Sequence, residues 1–228
     1  MPATQIVSKQ RVADHGEVYT NPREVNAMLD LVKVEAERIE SRFLEPACGT
    51  GNFLVEILSR KLDVAATRYK RSKNQLHYER DGIQSVASIY GIELLSDNVA
   101  ICRERLSTLA EQRYTELFGN RANPQYLAAV RSILTCNILH GDALTLETPE
   151  KKPIVFAEWS MIDSRLKRRD YEYRHLIQRN RPDETADIFS GSLSGLPPQK
   201  SDTGEECFIA IPIRDDYPLI HFLEVSNV

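Results

Sequence analysis

The chain has 228 residues, of which 42% are hydrophobic and 27% charged, and this composition excludes wholesale disorder while the length allows a single domain. A net charge of −4 gives no overall attraction to nucleic acid, so any such attraction must be local. The sequence has no apolar run of about 18 residues, no secretory signal and no C-x-x-C pair among its four cysteines, so we expect a reduced, cytoplasmic protein with no membrane partner.

The first predicted elements surround a glycine turn. Asn21 and Pro22 are typical of a helix start, and apolar residues at helical spacing predict an amphipathic helix over 22–40. Residues 42–45 form a short apolar run that stops at a proline, which predicts a buried strand. A tight turn at 48–51 and a second helix follow. Strand, glycine turn and helix make half of a βαβ unit.

The middle of the chain continues this alternation. Residues 63–86 predict a helical hairpin or a long connection. The following segments are predicted as strands at 88–93, 136–140 and 153–157, and as helices at 94–114 and 124–132. We therefore expect an α/β fold with a Rossmann-like, mostly parallel sheet and helices on both faces.

The last third of the chain changes character. Residues 165–181 contain seven arginines and lysines, and we expect a basic helix there. A mobile loop rich in Pro, Gly and Ser is expected over 182–206, and two late apolar runs predict a C-terminal antiparallel hairpin. We expect one domain over 1–228. Its core covers 1–160, the basic helix and loop cover 161–206, and the hairpin covers 207–228. The two apolar runs of the hairpin lie at 208–213 and 219–225.

Acidic residues end three successive predicted strands: Glu45, Glu93 and Asp142. Parallel strands place ligands at their carboxyl ends, where the glycine turn also lies. The turn matches neither the G-x-G-x-x-G dinucleotide motif nor a phosphate-binding loop with GK[ST]. Each feature alone is more often structural, the turn as a plain bend and each acid as a loop carboxylate or helix cap. Their joint placement favours a ligand site.

Four segments in order resemble known motifs. Residues 16–22, 43–54, 90–94 and 141–144 resemble motifs X, I, II and III of class I S-adenosylmethionine-dependent methyltransferases. The closest resemblance is to the adenine-N6 DNA methyltransferases of restriction–modification systems, and it covers about residues 15–145. It implies S-adenosyl-L-methionine as the cofactor and DNA as a partner.

The resemblance also implies the cofactor contacts. Those to its methionine and amino-acid end are Tyr19, Thr20, Glu45, Ala47, Gly49 and Gly51. Glu93 is expected to bind the ribose hydroxyls with both carboxylate oxygens, and Leu94 to contact the adenine. Asp142 is expected to accept from the adenine amine, with Ala143 alongside.

The catalytic motif of that family, Asn/Asp-Pro-Pro-Tyr/Phe after the fourth strand, is absent. Glu158 and Trp159 stand there, and they could accept from an amine and stack on an extruded base. The alternative is that Trp159 packs in the core and Glu158 faces solvent. A similar string at 123–126 precedes the third strand, and we interpret it as a helix cap.

The basic stretch is the candidate DNA contact. Residues 151–181 contain nine Lys/Arg against four Asp/Glu, and a solvated helix face is the alternative. The proposed contacts are Lys167, Arg168, Arg169 and Arg174. The histidines form no paired spacing, so no metal is proposed. No separate target-recognition domain is recognisable, so a specificity or restriction subunit is a candidate partner.

The sequence therefore leaves two function classes open. The first is an adenine-N6 DNA methyltransferase, with a partner subunit completing the site if needed. The second is a catalytically inactive cofactor-binding accessory module of a restriction–modification system, because the catalytic motif is missing. Methylation of a different substrate is a third, weaker interpretation.

Overall fold

A computed structural model of the chain describes residues 20–177, 199–200, 206–207 and 210–227. Their α-helices are α1 (Pro22–Asp30), α2 (Lys33–Ala36), α3 (Asn52–Ser72), α4 (Gln75–Ala87), α5 (Ser96–Phe118), α6 (Pro124–Asn137) and α7 (Tyr173–Ile177). Their strands are β1 (Phe43–Glu45), β2 (Ile89–Glu93), β3 (Ile138–His140), β4 (Val155–Ile162), β5 (Arg165–Glu172), β6 (Gln199–Lys200), β7 (Glu206–Cys207) and β8 (Ile220–His221). Two 3-10 helices, Gly119–Arg121 and Phe222–Asn227, complete the elements.

The amphipathic segment predicted as one helix over 22–40 forms two. The Asn21 side chain accepts a hydrogen bond from the N–H of Arg23, and this cap starts α1 as predicted. Val32 leaves the helical region, with φ −120° and ψ 33°, before α2 begins. The break therefore lies within a segment whose apolar spacing alone would have continued the helix.

The first three strands form a parallel sheet in the order β1-β2-β3. Phe43 pairs with Ile89, and Gly91 pairs with Ile138. Parallel neighbours need long crossovers, which α3 with α4 and α5 with α6 provide. The predicted alternation of strands and helices up to residue 140 is confirmed, including the helical hairpin over 63–86.

The two faces of the parallel sheet pack against different parts of the chain. Side chains alternate along β2, so Ile89 faces the main core with α3 to α6, while Tyr90 and Ile92 face the opposite side. There they pack with Phe156 and Tyr173 in a second, smaller cluster. In the described residues this face is covered by β4 and the start of α7, and not by the row of helices expected from the sequence.

Buried tyrosines join the helices of the main core. The rings of Tyr78 and Tyr114 lie 6.0 Å apart, and those of Tyr114 and Tyr126 lie 4.3 Å apart. The Asn123 side chain accepts from the N–H of Gln125 at 3.0 Å to cap α6. The string at 123–126 is therefore a helix start, as predicted, with its tyrosine in the core.

The fourth strand differs from the sequence prediction. β4 is antiparallel to β5 along its whole length, around a turn in which Asp163 has φ +54°. The predicted basic helix over 165–181 is wrong for 165–172, which form β5, while 173–177 are helical. The predicted loop at 182–206 lies outside the described residues except for β6 and β7, which pair with each other.

The predicted C-terminal hairpin is also corrected. Within the described residues, the two late runs pair with β5 and not with one another. The N–H of Asp170 donates to the carbonyl of Arg214 at 2.8 Å, and β8 pairs with Arg165 and Leu166. A 3-10 helix takes the place of the end of the second run.

The described part of the chain is thus an α/β structure with a three-stranded parallel sheet and a separate three-stranded antiparallel sheet. Among these residues, no helix combines the length and the apolar character needed to cross a membrane.

Candidate functional site

The three acids predicted for the cofactor site follow neighbouring strands at one edge of the parallel sheet. Glu45 ends β1, Glu93 ends β2, and Asp142 follows β3 by two residues. The N–H of Gly141 donates to the carbonyl of Glu93 at 3.0 Å, which joins the ends of β2 and β3. The structure therefore brings the three predicted acids to the same edge.

The glycine turn lies between β1 and α3 at this edge. Gly49 and Gly51 have φ angles of +52° and +87°, which side chains other than glycine rarely adopt. A β-carbon at Gly51 would lie 2.6 Å from the sulfur of Cys102, whereas one at Gly49 would meet nothing within 4 Å. Gly51 also caps α3 without a side chain, so the first N–H groups of that helix are suited to an anionic ligand.

Glu93 is a buried carboxylate that holds the turn. Its two oxygens accept from the N–H of Gly49 at 2.8 Å, from the N–H of Leu95 at 3.0 Å and from the amide of Asn98 at 3.3 Å. A carboxylate offers about four acceptor positions, so about one remains for a ligand. The expected use of both oxygens for a ribose diol would require one of these internal bonds to be replaced.

Glu45 is half-buried beside the turn, and burial raises the pKa of its carboxyl group. Ala47, which follows it after a proline, is exposed. A cationic ligand group at this position would favour the ionised form of Glu45 and lower its pKa again.

Asp142 fixes the turn after β3. One of its carboxylate oxygens accepts from the N–H of Leu144 at 2.8 Å. Leu94 and Leu144 are 51% and 94% exposed, and Ala143 packs at the margin of the smaller apolar cluster. The edge therefore combines acidic acceptors with exposed apolar side chains.

The segment before α1 also reaches the turn. The side-chain amide of Asn52 donates to the carbonyl of Thr20 at 3.2 Å, so Thr20 lies next to the start of α3. Tyr19 lies outside the described residues. The sequence missed Arg105 of α5, whose guanidinium hydrogen-bonds Thr50 and Asn52. It is one of many charged residues on an amphipathic helix, and no local pattern marks it.

Glu158 and Trp159 do not lie at this edge. Glu158 forms an ion pair with Arg42, which precedes β1 at the amino end of the sheet. The indole N–H of Trp159 donates to Asn137, just before β3, at 2.8 Å, and the ring is only 5% exposed. A buried ring cannot stack on an extruded base. Their expected catalytic placement is corrected, because Glu158 pairs with a residue before β1 and Trp159 with a residue before β3, both at the amino end of the parallel sheet.

Three of the four basic residues expected to contact DNA are held by the chain itself. Lys167 donates to two backbone carbonyls at 2.6 and 2.5 Å, and Arg168 donates to Asp170 at 2.7 and 3.1 Å. Arg169 lies 3.4 Å from an acidic side chain of β4, while Arg174 on α7 is exposed. Side chains alternate along β5, so Arg168 also faces away from Lys167 and Arg169.

The carboxyl edge of the parallel sheet therefore brings together three acidic side chains, a tight glycine turn and exposed apolar side chains. Comparisons with protein-family models, with curated proteins and with solved structures find no match.

Proposed function

We propose that the chain binds S-adenosyl-L-methionine at the carboxyl edge of the parallel sheet. The observation that carries this proposal is the convergence of Glu45, Glu93 and Asp142 with the glycine turn, in the order β1-β2-β3. This order is what one half of a Rossmann-like sheet would contain. A complete Rossmann-like sheet would continue with further parallel strands, and the antiparallel β4 and β5 do not provide them.

The chemistry of the edge fits this cofactor better than a nucleotide phosphate. The start of α3 offers N–H groups to the carboxylate of the amino acid, and the open space at Gly49 allows close approach to the backbone. In this proposal Glu45 would favour the positive charge, and Asp142 would accept from the adenine amine. S-adenosyl-L-methionine supplies a methyl group activated by its sulfonium.

The proposed reaction is methylation of adenine N6 in DNA, an activity of the cytoplasm, completed by a partner subunit. Adenine must leave the base stack and be held by an acceptor and an aromatic ring. Glu158 and Trp159 are ion-paired and buried at the other end of the sheet. A specificity or restriction subunit would therefore have to hold the extruded adenine and recognise the DNA sequence.

A second candidate is supported by the same placement. A chain that keeps the cofactor edge while Glu158 and Trp159 lie at the other end of the sheet could act as a catalytically inactive accessory module. In that role, cofactor binding would regulate or stabilise a restriction–modification complex without methyl transfer by this chain.

Calorimetry tests the shared premise of both candidates. The chain should bind S-adenosyl-L-methionine and S-adenosylhomocysteine but not ATP, and Asp142→Ala should weaken this binding while the exposed Glu150→Ala should not. No heat of binding with either methionine-derived ligand would refute the proposal. A labelled-methyl assay on unmethylated DNA, with and without co-purified partners, then separates an enzyme from an inactive module.

A further inference from the structure

One arginine of α5 ties together the parts of the proposed cofactor edge. The side chain of Arg105 is half-buried, and one of its terminal nitrogens, Nη1, lies 2.7 Å from the carbonyl of Thr50 and 3.1 Å from its hydroxyl. The same nitrogen lies 2.8 Å from the side-chain oxygen of Asn52. Arg105 thus joins the helix that follows β2 to the turn that follows β1.

This contact also sets the orientation of Asn52. Because the side-chain oxygen of Asn52 accepts from Arg105, its amide nitrogen is directed to the carbonyl of Thr20, at 3.2 Å. The chain from Arg105 through Asn52 therefore reaches the segment before α1. Two other parts of the sequence, α5 and the segment before α1, thus meet the turn through Arg105 and Asn52.

We propose that Arg105 is a positioning residue, which holds the glycine turn and the Thr20 segment in the conformation that accepts the cofactor. The inference depends on the proposed function, since it concerns the same site. Gly49 and Gly51 make the turn tight but leave its backbone free to adopt other conformations. Hydrogen bonds from a charged donor are among the stronger ones, so they favour the observed conformation over those alternatives.

The expected effect follows from the population of the binding conformation. Apparent affinity falls in proportion to the fraction of molecules that hold this conformation. Removing three hydrogen bonds by Arg105→Ala should lower that fraction about tenfold, and the dissociation constant for S-adenosylhomocysteine should rise by about the same factor. Arg105→Lys keeps the charge on a shorter side chain, so it should restore part of the affinity.

Arg113 offers a matched control on the same helix. It also joins α5 to α3, through Ser59 at 3.1 Å and Asp63 at 3.2 Å, but it lies away from the turn. Calorimetry with S-adenosylhomocysteine and thermal unfolding should be measured for the wild type, Arg105→Ala, Arg105→Lys and Arg113→Ala. Arg113→Ala should change the melting temperature only slightly and leave affinity within about twofold of wild type.

Hydrogen exchange without ligand provides a second readout. Arg105→Ala should accelerate amide exchange over residues 49–55, and Arg113→Ala should not. Equal losses of affinity in Arg105→Ala and Arg113→Ala, or unchanged exchange in Arg105→Ala, would show that Arg105 has no positioning role. A wild-type chain that binds no S-adenosylhomocysteine but shows the expected exchange difference would instead remove the proposed function and leave only a turn-holding contact.

Discussion

The parallel and antiparallel sheets of this protein use charged side chains in opposite ways. At the edge of the parallel sheet, Glu93 accepts from backbone N–H groups, and Glu45 and Asp142 lie on the neighbouring strand ends. In the antiparallel sheet, Asp170 accepts two hydrogen bonds from Arg168 and one from the hydroxyl of Tyr217. At the parallel edge Glu93 accepts mainly from main-chain N–H groups, whereas Asp170 in the antiparallel sheet pairs with a cation.

This difference determines what each region can offer to a ligand. A carboxylate that accepts from neutral N–H groups keeps its negative charge, so the edge of the parallel sheet attracts cations. A carboxylate paired with an arginine is largely neutralised within the protein. We therefore expect changes at the parallel edge to affect ligand binding, and changes in the antiparallel sheet to affect stability alone.

The largest effect is expected where the turn of the parallel region is broken. Gly51→Ala places a β-carbon at φ +87° and 2.6 Å from the sulfur of Cys102, so both strain and overpacking oppose folding. Unfolding by urea should show a loss of about 3–4 kcal/mol, with loss of S-adenosylhomocysteine binding.

Gly49→Ala is the matched control for that experiment. It also has a positive φ angle, of +52°, but a β-carbon there meets nothing within 4 Å. Its cost should be about 1–2 kcal/mol, from backbone strain alone. Equal losses in the two variants would mean that contact with Cys102 contributes nothing.

The next effect concerns the buried ion pair of Asp170 and Arg168 in the antiparallel sheet. Asp170 is 7% exposed, and Asp170→Asn removes the charge that faces Arg168. We expect a loss of about 2–3 kcal/mol in urea unfolding, because a buried ion pair is left with one partner. Binding of S-adenosylhomocysteine by the folded variant should be unchanged.

Asp216→Asn is its control, since the exposed Asp216 pairs with Arg214 on the surface. That variant should lose less than about 0.5 kcal/mol, as surface ion pairs contribute little. A ligand-binding defect in Asp170→Asn would remove the distinction between the two sheets.

The sequence predicted the parallel region because its signals are local. A short apolar run, a proline and two glycines specify the strand and turn within residues 42–51, and the three acids follow from the positions of the strand ends. Glu93 illustrates the limit. Its place at the edge was predictable, but its internal hydrogen bonds to Gly49 and Asn98 were not.

The antiparallel region was missed because its stabilising partners are distant. On β5 the side chains directed inward include Arg168 and Asp170, so the apolar alternation typical of a strand is absent. The hydroxyl of Tyr217 also donates to Asp170, and Tyr217 lies 47 residues farther along the chain. The turn between the paired runs consists of Asp163 and Ser164, so it lacks the Asn-Gly or Asp-Gly pair that marks a hairpin in a sequence.

A smaller effect is expected at the amino end of the parallel sheet, opposite the acidic edge. Lys61 is fully buried and donates to the carbonyl of Ile39 at 3.2 Å, to the carbonyl of Ser41 and to the hydroxyl of Ser88 at 2.5 Å. Burial lowers the pKa of Lys61 to about 7. Between pH 7 and 10 the unfolded chain then holds a proton that the folded chain has released, so stability from this group rises with pH.

Lys61→Met isolates that contribution. The difference in unfolding free energy between wild type and Lys61→Met should shift by about 2 kcal/mol in favour of wild type from pH 7 to pH 9. The exposed Lys33→Met should show no such shift. A difference that stays constant with pH would mean that the three acceptors keep Lys61 protonated in the folded state.

The smallest effect tests how closely the turn packs on the sheet. A β-carbon at Gly91 would lie 2.8 Å from the sulfur of Cys48 and 3.1 Å from Leu54, so Gly91→Ala should cost about 1–2 kcal/mol. Cys48→Ala removes the sulfur, so Gly91→Ala should cost less when Cys48→Ala is already present. A double-mutant cycle by urea unfolding measures this coupling, which we expect to be at least about 0.5 kcal/mol. Strictly additive losses would show that the turn moves to relieve the contact with Cys48. The edge of the parallel sheet would then be less rigid than the antiparallel sheet.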